Sequence, residues 1–77
     1  MDYAEKKEKL ASLIEEAADD RGKKDELMAF ILELTKDVEF SRKDLYKSIL
    51  PEIGNYFDEL SRKELKQRAS MIRTFLE

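Results

Sequence analysis

The longest unbroken run of apolar residues is the short one from Leu27 to Leu32; elsewhere apolar residues come singly or in pairs, three or four apart, with charged residues between. That spacing builds amphipathic helices. The longest run also falls far short of the ~18 residues a membrane span needs. A chain of 77 residues buries only roughly 60% of its unfolded surface. Cysteine is absent, so no disulfide can supplement the core. Hydrophobic residues make up 42% and charged residues 43%, which suits helices with apolar inner and ionic outer faces.

The absence of histidine, cysteine and tryptophan also narrows the chemistry. It removes thiol nucleophiles, imidazole bases and zinc sites of the usual kind. With only Gly22 and Gly54, neither a P-loop nor a glycine-rich dinucleotide turn can be formed. The start, MDYAEKKEKL, carries no secretory or transit pattern, so a cytoplasmic protein is expected. The bias toward Lys, Glu and strong helix formers is that of heat-adapted proteins and of designed helical scaffolds.

Along the chain, Leu10, Leu13, Ile14 and Ala17 predict a first helix over 3–18, stopped by Gly22 in a left-handed conformation. Asp19 and Asp20 sit at its negative end, where the helix dipole disfavours them. A second, most buried helix is expected over 24–36 and a third over 42–50, ended by Pro51. Ile53, Tyr56, Phe57 and Leu60 predict a short further segment, and Arg62 to Leu76 the last helix. The expected architecture is all-α, a compact bundle of four helices plus a short fifth segment in one domain, residues 1–77. Ile31 and Ile72 should be nearly inaccessible to solvent.

Two near-identical pentapeptides, SRKDL at 41–45 and SRKEL at 61–65, look like one helix-start device used twice. Ser41 and Ser61 would cap, Asp44 and Glu64 would answer them, and Phe40 with Leu45 and Leu60 with Leu65 would staple the turn. Capping leaves Arg42, Lys43, Arg62 and Lys63 unexplained, since cations in a first turn oppose the helix dipole.

On the last helix, Leu65, Ala69, Ile72 and Leu76 form one stripe, widened by Met71 and Phe75, while Arg62, Lys66 and Arg73 line up elsewhere, beside Lys63 and Ser70. Residues 61–77 hold five basic against two acidic residues, and the preceding 60 hold ten against sixteen. The stretch VEFSRKDLYKSILPEIG followed by DELSRKELKQRASMIRTFLE resembles, in spacing and helix order over 38–77, a winged helix-turn-helix. That resemblance implies a nucleic-acid face of Arg62, Lys63, Lys66, Gln67 and Arg73. It departs from the family in its long connection between the helices and in ending where wing strands would begin. The net charge of −3 also lacks the basic footprint of a stand-alone nucleic-acid binder.

Glu15 with Glu16 and Asp19 with Asp20 are the acidic pairs, but no calcium-loop spacing surrounds them. No metal or cofactor is expected. Among the aromatics, Tyr46 is expected at a protein-binding groove, with Leu45 and Ile49 supplying the buried side of its helix and its hydroxyl needing a polar partner. The expectation is therefore a non-catalytic, monomeric helical domain, structural or protein-binding, of the composition a designed or redesigned scaffold without evolved activity would have. Its partner would be another protein, with no membrane involved. The alternative is a small helix-turn-helix-like nucleic-acid-binding regulator using the basic face.

Overall fold

The computed structural model describes residues 1–75, Phe75 by its backbone alone. The expected core positions of Leu76 and of the Phe75 side chain thus lie outside the described residues. Five α-helices follow one another: α1 Tyr3–Asp19, α2 Lys24–Thr35, α3 Val38–Ser41, α4 Asp44–Tyr56 and α5 Arg62–Phe75. Single 3-10 turns at Arg21–Lys23 and Phe57–Glu59 link α1 to α2 and extend α4. The all-α bundle is as the periodicity predicts.

One continuous core contains side chains from all five helices, among them Leu10 and Ile14 of α1, Leu27 and Leu34 of α2, Phe40 of α3, Ile53 of α4 and Leu65 of α5. Ile31 and Ile72 are both buried. The most extensive contact joins α1 to α5, the first helix to the last. Ala11, Ala17, Ala18 and Ala69 are buried there and elsewhere in the core, and side chains this small let helix axes approach closely. The Cα radius of gyration, 11.2 Å, is that of a folded chain of this length.

The expected stop at Gly22 is made differently. No described residue has a positive φ. Instead Asp20 turns extended and its carboxylate accepts from the Gly22 amide at 3.0 Å, closing the 3-10 turn. A Cβ on Gly22 would lie 3.1 Å from that Asp20 oxygen, so glycine answers a close approach rather than a left-handed backbone.

Pro51 does not end a helix. It lies inside α4, which runs on to Tyr56, and the expected short segment over 51–60 is the second half of α4 plus its 3-10 turn. Proline in a helix interior costs ~3 kcal/mol through a lost hydrogen bond and a clash with the carbonyl four residues back. Against that, Ile53 and Phe57 are buried at 0% and 1% exposure, and burial of two such side chains contributes roughly 3–6 kcal/mol. Burial wins, and Pro51 itself stays exposed on the outer side.

The periodicity did not locate α3, a single turn between α2 and α4. Asp37 caps it, its carboxylate accepting from Glu39 N at 2.9 Å and Phe40 N at 3.4 Å. This placement overturns the first capping box. Ser41 is the last residue of α3 and its hydroxyl donates back to Val38 O; the residue before α4 is Lys43, with no side-chain cap. Phe40 packs on Tyr46 and Tyr3, at ring distances of 4.3 and 5.1 Å, instead of stapling a turn with Leu45. The second copy is a true capping box: Ser61 Oγ accepts from Glu64 N at 3.1 Å, and Glu64 Oε1 accepts from Ser61 N at 3.0 Å.

The two serines should therefore behave differently. Ser61→Ala is expected to destabilise the fold by ~0.5–2 kcal/mol, whereas Ser41→Ala should leave the denaturation midpoint nearly unmoved. Urea melts of the two variants check this, and equal losses would contradict the assignment.

Candidate functional site

The candidate nucleic-acid face is divided by the fold. Antiparallel packing of α5 on α1 sets Arg62 and Lys66 against Asp19, the Lys66 ammonium 3.2 Å from its carboxylate. It sets Arg73 between two acids, 2.8 Å from Glu8 and 2.7 Å from Glu15, with Ser12 Oγ accepting at 3.2 Å. Lys63 and Gln67 remain exposed. Three of the five expected phosphate-reading residues thus bind carboxylates of their own chain. Arg68, which the periodicity had not singled out, pairs with Glu52 of α4 at 2.8 Å. A signal was available for it: four residues separate Arg68 from Glu64, and a cation so near the core stripe of a charged helix needs a partner.

These pairs also resolve two placements that local rules disfavour. Asp19 at the negative end of α1 and Arg62 at the positive end of α5 each oppose a helix dipole. Set against one another they offset both. The VEFS stretch that opens the helix-turn-helix resemblance is the helical turn α3.

Three of the four acids in the acidic pairs are similarly engaged. Glu15 meets Arg73, Asp19 meets Arg62 and Lys66, and Asp20 holds the Gly22 amide. Among the described residues no cluster of three acids could hold a metal.

Tyr46 lies elsewhere than expected. It is 1% exposed, while Leu45 is only partly buried; the helix is rotated so that Tyr46, Ile49, Leu50 and Ile53 face inward. The missed signal is that Tyr46, Ile49, Leu50, Ile53 and Phe57 form a single stripe once α4 is allowed to pass Pro51. Burial, with Tyr3 beside it, pushes the Tyr46 hydroxyl far above its ordinary value. Neither this hydroxyl nor that of Tyr3 makes a well-formed hydrogen bond.

Tyr46 nevertheless lines a groove. Between α2 and α4 runs a trough made of two adjoining clefts. One, of about 230 Å³, is lined by Leu34, Phe40, Tyr46, Lys47, Leu50 and Pro51 among others. The other, of about 330 Å³, is lined by Met28, Ile31, Leu32, Leu50, Pro51 and Gly54 among others. Thr35, Leu50 and Pro51 belong to both. Leu32 stands at its edge, 59% exposed. Among the described residues, Lys47 is the one charged residue lining either cleft. A further cleft, between α4 and α5, is instead lined by the paired Glu52 and Arg68.

Gly54 sets the depth of the trough. A Cβ there would meet nothing nearer than Ile31 Cγ2 at 4.0 Å, so the missing side chain leaves room without any backbone demand for glycine.

Comparison of the chain with protein-family models, curated proteins and solved structures gives no match. No helix among the described residues is long and apolar enough to cross a membrane.

The ion pairs carry a pH signature. The Arg73 guanidinium holds the Glu8 carboxyl below the ordinary 4.5, and Arg62 with Lys66 hold Asp19 below 3.8; the Lys6 ammonium, 2.6 Å away, does the same for Asp37. A carboxyl with a lowered folded-state value favours the fold above its unfolded value and loses that contribution as pH falls through the folded one. These groups are solvent-accessible, so the effect on stability is small. NMR titration should place the Glu8 midpoint below 4.5, and Arg73→Gln should return it toward that value without moving Asp37. A Glu8 midpoint that ignores Arg73 would show that the seam does not form.

Proposed function

We propose that this is a non-catalytic protein-binding domain that receives an amphipathic helix of another protein in the trough between α2 and α4. The observation that carries the reading is Leu32. More than half exposed, it extends the apolar lining that Met28, Ile31, Leu50 and Pro51 share, and an occupant would remove that contiguous surface from water.

The shape favours a helix over a small molecule. Small-molecule sites enclose most of their ligand, whereas this trough is two shallow adjoining clefts open along one side. A helix laid into such a groove uses apolar residues at i, i+3 or i+4, and i+7. Met28, Leu32, Leu50 and Pro51 would cover them, with Thr35 and Asn55 as polar edges.

The nucleic-acid alternative has less support. Arg62 and Lys66 share the carboxylate of Asp19, and Arg73 is held by Glu8 and Glu15, so a phosphate would have to displace those carboxylates.

Selection from a displayed library of helical 15-residue peptides tests the proposal. Selected sequences should share the i, i+3/i+4, i+7 apolar pattern, and their amide shift changes should map to α2 and α4. Leu32→Glu should weaken them at least about tenfold, since a buried leucine contributes ~1.5–3 kcal/mol. Gly54→Leu should abolish binding by filling the trough while the domain stays folded. No enrichment over a groove-filled control, or retention of binding by Gly54→Leu, would overturn it.

A further inference from the structure

The helix lines that flank the trough carry matching charge patterns, and of these charges Lys47 lines a cleft while the others stand beyond its ends. On α2, Asp25, Ala29, Leu32 and Lys36 follow at spacings of four, three and four, which keeps them on one line of the helix. On α4 and its 3-10 extension, Lys47, Pro51, Gly54 and Asp58 repeat that spacing with the charges reversed in chain order.

The helices run antiparallel, as the 3.0 Å pair between Lys24 and Asp58 and the facing of Ile31 and Gly54 require. Reversed order on antiparallel helices places like charges together. Lys36 and Lys47 fall at one end of the trough, Asp25 and Asp58 at the other. Eleven residues separate the charges on each rim, or ~16 Å of helix. Local counter-charges only partly cancel the pattern. Asp44 lies 3.9 Å from Lys47 and Lys24 lies 3.0 Å from Asp58, with Lys47 and Asp58 still 60% and 73% exposed.

Resting on the groove reading above, we infer that the partner helix is itself charge-polarised: acidic at the end that meets Lys36 and Lys47, basic about three turns away where it meets Asp25 and Asp58, and apolar between. A second copy of this chain fits the trough less well. Among the described residues lining the two clefts, Leu32 is the one large exposed apolar side chain, too little for a self-complementary interface.

Three synthetic peptides built on one selected apolar host test this, differing only in their end residues: Glu at one end and Lys at the other, Glu at both, or Lys at both. Fluorescence anisotropy at low salt should show the mixed peptide binding about three- to tenfold tighter than either uniform one, the size that exposed ion pairs can supply. That preference should shrink as salt rises. Lys36→Glu with Lys47→Glu should transfer the preference to the Lys/Lys peptide. If all three bind alike and Gly54→Leu still blocks them, the charge inference fails and the groove reading stands. If none binds the folded wild-type domain, the groove reading fails. Sedimentation showing self-association through Leu32 would replace the partner helix with a second copy and overturn the inference.

Discussion

Contact between α1 and α5 holds the bundle together. It joins the two ends of the described chain, Leu10, Ile14 and Ala17 on one side and Leu65, Ala69 and Ile72 on the other, all fully buried. The intervening helices depend on it. α3 is a single turn of four residues, far too short to be stable alone, and α4 contains a proline. Both persist because they pack on the core that α1, α2 and α5 enclose. The charged seam beside this contact supplies alignment more than energy. Arg73 set between Glu8 and Glu15, with Arg62 and Lys66 on Asp19, fixes the antiparallel register while each exposed pair adds little stability.

Much of this was legible from residue spacing. Strong three-four periodicity located α1, α2 and α5 to within a residue or two, along with the burial of Ile31 and Ile72. Elements shaped by competition between neighbours were harder. SRKDL and SRKEL are almost the same words, yet one ends a helix and the other starts one. The difference lies upstream: Asp37, three residues before Phe40, offers a cap that starts a turn earlier and carries Phe40 into the core, and Ser61 has no such rival. At Pro51 the local rule was outweighed by Ile53 and Phe57, whose burial no five-residue window reveals.

The candidate site was readable only in outline. Tyr46 was expected at a groove with Leu45 on the buried side of its helix; it is Tyr46 that turns inward, its ring lining one cleft from below while α2 supplies the rim. The clue was the apolar run itself. Six consecutive apolar residues, Leu27 to Leu32, cannot all turn inward on a helix, and Ala29 and Leu32 are the two left exposed, Leu32 being the large one. On α5 the cations could be placed on one side of the helix from spacing alone, but what they face is a property of α1, some fifty residues away.

Pro51 has a last consequence, in how the groove can move. Lacking an amide, it leaves the Lys47 carbonyl without its usual partner one turn on, so the ladder of α4 is interrupted beside the middle of the trough. The helix stays continuous across that point, with Leu50 and Ile53 packed in the core on either side. Bending about such a point is cheaper than bending an intact helix. The one bond missing from the ladder thus lies in the wall that Pro51 and Gly54 form, the point along α4 where bending costs least.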